Sequence, residues 1–260
     1  MNKINKISIL GSGWLGLPLA KYLLNNGQKI SVSTRSKVKA EQLHASHIEA
    51  HVIDIELLSD NIYDFLQADL LIINITSKSL QAYQDLLSAI EKSTIKKVLF
   101  ISSTSVYSNQ QGLCKESVPL KEETNLRRIE RLFSESSHFS CTILRFAGLI
   151  GPKRHPGRFF IAGKSIKDAN AKVNLIHQDD CIGLIEAILV KQAWGEIFNG
   201  CADNHPRKGD YYTAMAKSLG YPEPICSVTE NSVNKTVCNE KVKKQLNYEF
   251  IYPDIYKIKW

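Results

Sequence analysis

The chain has 260 residues, 43% of them hydrophobic and 23% charged, with a formal net charge of +7. That balance excludes a disordered or fibrous chain and leaves room for one large domain or a domain with an appendage, at about 100–200 residues per domain. No stretch is apolar for long enough to span a bilayer, and the short, glycine-broken apolar segment near Met1 does not suit a secretory signal, so a cytoplasmic protein without a membrane partner is expected.

The positive charge is scattered among acids, and the one basic bias, Lys235 to Lys259, has no recognition-helix or RNP-like pattern, which argues against a nucleic-acid partner. Cys114, Cys141, Cys181, Cys201, Cys226 and Cys238 show no C-x-x-C or Cys/His spacing. They read as free thiols, and no metal site is expected.

In chain order, the first element is an apolar strand ending at Leu10 and followed at once by Gly11, Ser12, Gly13, Trp14, Leu15 and Gly16, a G-x-G-x-x-G pattern. Gly11 suits a tight turn, Gly13 leaves room for a pyrophosphate beside the backbone, and Gly16 lets the next helix pack on the sheet. The helix N-terminus would face the phosphates with free N–H groups. Leu17, Ala20, Leu23 and Leu24 form its apolar face, and Asn25, Asn26 and Gly27 stop it.

A second strand, 29–33, leads into Thr34, Arg35 and Ser36, where a NAD-preferring site would carry an acid for the ribose hydroxyls. Arg35 offers a fork of donors to a 2′-phosphate, with Lys37 or Lys39 assisting, so the cofactor reads as NADP over NAD. A helix over 37–46 and a third strand over 51–55 follow. Asp54 there falls where such folds touch the adenine, or else caps a helix.

Further strands are expected over 70–74, 97–102, 141–146 and 196–199, with helices over 80–92, 181–190, 207–219 and 239–246 and a short strand over 235–238. The alternation calls for an α/β fold: a Rossmann, doubly wound parallel sheet of about seven strands with a small C-terminal capping region. Such sheets bind ligands at the carboxyl ends of their strands, which puts Asn74, Ile75, Thr76 and Ser102 against the cofactor. The expected division is a Rossmann domain over 1–152, to which a strand and helix within 173–202 return, and a capping region over 153–260.

Four segments carry a more specific signal: SSTSVY at 102–107, LRFAGLIGP at 144–152, VNLIHQDD at 173–180 and IFNG at 197–200. With them the chain resembles the extended short-chain dehydrogenase/reductase family, which contains the nucleotide-sugar epimerases and dehydratases. Its short length and Thr34–Arg35 turn resemble the atypical, YeeZ-like branch. The resemblance places Ser103, with Thr104 and Ser105 beside it, at the family's Ser/Thr position that holds the substrate oxygen, and Gly148 and Leu149 in the loop that passes the nicotinamide.

The family's Tyr-x-x-x-Lys pair is missing: between Val118 and Ser137 there is no tyrosine. The best placement puts Thr124 at the tyrosine position and Arg128 at the lysine position, with Ile129, Leu132 and Phe133 forming a buried face. An alkanol does not ionise near neutral pH as a tuned phenol does, and a permanently charged Arg128 clamps a ribose hydroxyl or phosphate without relaying protons. Tyr107 is either a relocated proton carrier or a locally packed side chain. His177 is either a general base or a structural residue, with Asp179 or Asp180 capping the helix after it. The basic loop Lys153 to Arg158 is either solvated or a receptor for an anionic substrate group.

Two functions remain open on these grounds. One is an NADP-dependent oxidoreductase or epimerase-like enzyme acting on a small polar substrate, neutral or anionic. The other is an NADP-binding sensor or regulatory protein without chemistry. A homodimer built through helices on the sheet flank is an open alternative to a monomer.

Overall fold

The computed structural model describes residues 4–107, 112–120, 123–161, 164–228 and 235–260. Its strands are β1 (Lys6–Leu10), β2 (Lys29–Thr34), β3 (Glu49–Val52), β4 (Leu70–Ile73), β5 (Lys97–Ser103), β6 (Leu113–Cys114), β7 (Ser140–Phe146), β8 (Gly148–Ile150), β9 (Leu175–His177), β10 (Ile197–Gly200) and β11 (Thr236–Val237). Seven of them form one parallel sheet in the order β10-β7-β5-β4-β1-β2-β3. Two further pairs, β6 with β11 and β8 with β9, are parallel as well.

The sequence explains why this sheet forms. β4 is Leu-Leu-Ile-Ile with every residue buried, and Ile7, Ile9 and Leu10 of β1 are buried too, as strands covered on both faces require. The strand order reverses between β1 and β4, so the loops that leave these two strands lie at the switch point where doubly wound folds bind ligands.

The helices are α1 (Gly16–Asn25), α2 (Lys37–Ala45), α3 (Asn61–Phe65), α4 (Leu80–Glu91), α5 (Asn125–Ser134), α6 (Gln178–Lys191), α7 (Lys208–Ser218) and α8 (Glu240–Leu246). The chain divides into two compact units: 1–102, 123–144 and 192–197 in the first, and 103–122, 145–191 and 198–260 in the second. The units interleave in sequence.

In the first unit, α4 and α5 bring Tyr83 and Phe133 onto Phe100 of β5. Phe100 and Phe133 stack at 5.5 Å, and Tyr83 meets each of them edge-on at 6.0 Å. In the second unit, Tyr211, Tyr212 and Met215 of α7 pack with Ile150, Ile166, Val173 and Ile255.

Three local expectations change. The third strand lies at 49–52, not 51–55, because Asp54 caps a 3-10 turn over Ile55–Leu57 and ends the extended run. α3 was not anticipated. Asp179 and Asp180 stand inside the first turn of α6, which begins at Gln178. Asp180 instead accepts hydrogen bonds from the Tyr248 hydroxyl and the Ile251 and Tyr252 amides, and so anchors the segment after α8. All six cysteines are free; five are buried and Cys226 is exposed.

Candidate functional site

The glycine loop is held by the first unit's own backbone. Gly11 adopts φ 105°, a conformation that favours glycine, and a Cβ on it would strike the Asn74 carbonyl. A Cβ on Gly16 would fall on the Gly11 carbonyl oxygen. Gly13 differs: a Cβ there meets nothing within 4 Å, so the fold itself does not require glycine at this position. Open space at this position is what the close approach of a group from outside the chain requires.

Around the loop, the Gly11 amide donates to Ser33 Oγ at 2.8 Å, the Ser12 amide donates to the Ser33 carbonyl at 2.9 Å, and Lys39 Nζ donates to the Ser12 carbonyl. Ser12 and Leu15 are buried, and Trp14 is half-buried. Leu15 stands at the N-cap of α1 without a side-chain cap, and the first turn holds no acid. The positive end of the helix is therefore not neutralised by a side chain of its own N-cap or first turn, which suits a phosphate.

Beside it, Thr34 is buried, and its hydroxyl accepts from the Ser36 amide at 3.2 Å. Ser36 caps α2 by accepting from the Lys39 amide. This chain of caps leaves Arg35 exposed at the turn, with no ion pair among the described residues. Asn74 and Ile75 are half-buried and Thr76 is exposed after β4. Asp54 accepts from the Glu56 amide at 3.1 Å, so its carboxylate has a local capping task.

On α5, Thr124 is the N-cap, its hydroxyl accepting from the Arg127 amide. Arg128 is exposed and lies 3.8 Å from Glu123, a carboxylate that also meets Arg127 and Arg131. Lys121 and Glu122, within the stretch searched for a tyrosine, lie outside the described residues. Glu130, which the sequence reading passed over, is buried and accepts from the Ser102 hydroxyl at 2.5 Å. A carboxylate on the apolar face of a helix was its available signal.

In the second unit, a 3-10 turn over Thr104–Val106 follows β5, capped by Ser103, whose hydroxyl accepts from the Ser105 amide. Ser103 is half-buried and Ser105 exposed, whereas Thr104 is buried and Tyr107 is 3% exposed. The Tyr107 hydroxyl donates to Asn199 Oδ1 at 2.8 Å and accepts from Arg145 at 2.9 Å. The guanidinium also lies 5.2 Å from the centre of the phenol ring. Burial pushes the phenol up, against the pull of Arg145. Both capacities of this hydroxyl are engaged inside the fold.

Asn199 completes the cluster, donating through Nδ2 to the Cys114 and Cys238 carbonyls, while its own amide donates to Glu116. Gly148 and Leu149 belong to β8, where a Cβ on Gly148 would crowd the Leu175 side chain. His177 is buried against Tyr252, with Asp179 at 3.4 Å. Burial holds its imidazole below the ordinary value, partly offset by Asp179 and Asp180.

Compared with known proteins, the chain is 35% identical to Protein YeeZ of Escherichia coli (strain K12), over 96% of this chain and 97% of that protein. The chain belongs to the YeeZ family. Residues 6–122 of this YeeZ-family chain match the model of the NAD binding domain of 6-phosphogluconate dehydrogenase. Its fold is shared by a putative NAD-dependent epimerase/dehydratase from Methylobacillus flagellatus, at TM-score 0.78 and 24% identity over 97% of this chain and 95% of that one. The UDP-glucuronic acid 4-epimerase from Bacillus cereus shares it at TM-score 0.75 and 18% identity, over 95% and 94%. The chain thus shares its fold with these two proteins.

The residues that sequence reasoning missed in this YeeZ-family chain are supports. Ser33 holds two amides of the glycine loop, and Asn199 orients Tyr107. A serine in a strand and an asparagine in IFNG carry no spacing signal, because their roles depend on which strands become neighbours. Among the described residues, no group of three or more His, Cys, Asp or Glu side chains is arranged to hold a metal.

Proposed function

We propose that the chain binds NADP in its first unit and acts as an oxidoreductase or epimerase-like enzyme on a small polar substrate. The observation that carries the reading is the glycine loop. Gly13 is open where a Cβ would stand, and α1 begins beside it with neither side-chain cap nor acid. The loop amides and the helix N-terminus would hold the pyrophosphate, and the exposed Arg35 guanidinium the 2′-phosphate.

A nicotinamide held there would supply hydride exchange with a substrate carbon. Ser103, half-buried at the head of its turn, holds the substrate oxygen by a hydrogen bond and cannot itself supply the acid.

Calorimetry with NADP and NAD tests the binding. NADP should bind about tenfold tighter or more, and Arg35→Ser should erase the difference. Equal affinities in the parent protein would overturn the preference. Turnover is followed by nicotinamide absorbance over a panel of carbonyl compounds and nucleotide sugars, where Ser103→Ala should lower kcat.

The engaged Tyr107 hydroxyl, together with an α5 that holds no tyrosine, favours a second reading: an NADP-binding sensor. Cofactor-dependent binding to a protein partner, with no turnover of any panel member, would establish it instead.

A further inference from the structure

Ser103 cannot supply a proton, and the proposed reaction needs one. The second unit holds a lysine on the turn that this serine caps. Lys235 is half-buried, and its ammonium donates to the Thr104 carbonyl at 3.0 Å and to the Tyr107 carbonyl at 3.3 Å. These two carbonyls stand at the start and the close of the 3-10 turn over Thr104–Val106. The ammonium is thus seated one residue beyond Ser103.

The backbone fixes the lysine there. Lys235 leads into β11, whose Thr236 amide donates to the Gly112 carbonyl at 2.8 Å, and the Cys238 amide then donates to the Cys114 carbonyl at 3.0 Å. Asn174 grips the same residues: its Nδ2 donates to the Lys235 carbonyl and its Oδ1 accepts from the Val237 amide, each at 2.8 Å. The Asn174 carbonyl accepts from the Gly148 amide at 3.0 Å, so one asparagine ties Lys235 to the strand β8.

An ammonium has three N–H bonds, and the turn takes two of them. Among the described residues the third has no acceptor, and Lys235 makes no ion pair with a carboxylate. Burial holds the ammonium below its ordinary value; Lys208 adds to the shift, and Cys114 and Cys201 oppose it. A desolvated cation that no acid neutralises gives up its proton more readily than a lysine in water. The neighbouring donors are committed elsewhere. The Tyr107 hydroxyl is engaged by Asn199 and Arg145, and His177 accepts from the Asp179 amide through Nδ1 while its ring packs 4.2 Å from that of Tyr252.

We propose that Lys235 is the general acid of the reaction, protonating the substrate oxygen that Ser103 holds. The inference deepens the proposed function and rests on that reading. As the substrate carbonyl carbon accepts a hydride from the reduced cofactor, its oxygen takes a proton from Lys235 Nζ: a C–H and an O–H bond form, the carbonyl π bond and an N–H bond break, and the carbonyl is reduced while the dihydronicotinamide is oxidised. The neutral amine regains its proton from water. In the reverse direction the same amine takes the hydroxyl proton.

The first test needs no cofactor. The full chain is labelled with trace acetic anhydride from about pH 7 to about pH 11, and each lysine is read by peptide mass spectrometry. Lys235 should be acetylated in the folded protein, with a midpoint below the ordinary lysine value of about 10.4. A Lys235 that stays unlabelled, or that titrates at the ordinary value, would overturn the inference.

The second test is kinetic, on a panel member that the parent turns over. Lys235→Arg keeps the cation and its donors to the two carbonyls but cannot release a proton. It should lower kcat about 100-fold or more, with Tm and NADP affinity unchanged. In the parent, kcat should fall toward high pH as the ammonium loses its proton, and this limb should vanish from the residual activity of the variant. Lys235→Met should lose kcat as well, and some Tm with it, because the turn loses its donor. Parental kcat in Lys235→Arg would make the lysine a clamp of the turn and overturn the inference, leaving the proposed function intact. A parent that binds NADP and turns over no panel member would remove the proposed function and the acid role together.

Discussion

The two units solve the problem of buried polarity in opposite ways. In the first, the described polar residues of the interior are nearly all hydroxyls: Ser8, Ser12, Ser31, Ser33, Thr34, Ser102 and Thr142, with Glu130 the one carboxylate. Ser8 and Ser31 meet at 3.0 Å, and Ser8 donates to the Phe65 carbonyl. Small, neutral groups of this kind cost little to bury once paired. In the second unit the interior holds one such hydroxyl, Thr104, and with it Arg145, His155, His177, Gln178, Asp180, Asn199 and Asn239. There the polar groups are large, several can carry charge, and they tie together segments distant in sequence. One unit buries small hydroxyls around its backbone; the other is cross-linked by larger side chains.

This contrast can be broken by experiment. The largest effect is expected at Gly13→Val, which should weaken NADP binding by about 100-fold or more, roughly 3 kcal/mol, while leaving the Tm within a degree or two of the parent. A large loss of Tm would mean that the protein itself needs the glycine, contrary to the open space around it.

Next comes a pair of stability measurements by urea unfolding. Asn199→Ala strands the Tyr107 hydroxyl and two carbonyls and should cost about 3 kcal/mol or more. Ser31→Ala removes one neutral hydroxyl contact and should cost about 1 kcal/mol. Equal costs at the two positions would erase the distinction between the units.

The smallest effect is on pH. His155, His177 and His205, all in the second unit, are held below the ordinary imidazole value, in each case mainly by burial. As pH falls through about 6.5, the unfolded chain takes up protons that the folded one refuses. Stability should therefore decline toward pH 5.5, by at most about 1.4 kcal/mol per pH unit for each histidine, and His177→Gln should flatten the decline. A Tm that rises on acidification would show the opposite sign and refute the assignment.

The first unit was the more legible in sequence for the same reason. Apolar runs such as LLII, ending in glycine or Asn, announce both the strand and the loop that follows it, and the spacing of Gly11, Gly13 and Gly16 marks the turn. Ser33 was invisible because its partners, Gly11 and Ser12, become neighbours only when β2 lies beside β1. In the second unit nearly everything depends on such long-range pairing. β6 and β11 are two residues each and lie more than a hundred positions apart, and Asp180 read as a helix cap until the segment after α8 came to meet it. Thr124 read as a stand-in for tyrosine, and the structure gives it the cap of α5. The α5 face was legible at Ile129 and Phe133 from spacing, and Glu130 beside them was a visible oddity whose partner, Ser102, was not legible.

The distribution of thiols makes the molecule a convenient object for spectroscopy. With five cysteines buried and Cys226 exposed, one maleimide dye attaches to the folded protein without engineering. Cys226 is bridged to Ile166, so the dye reports from the second unit. Ligand titrations could be read by fluorescence on the unmodified sequence, with the first unit left unlabelled.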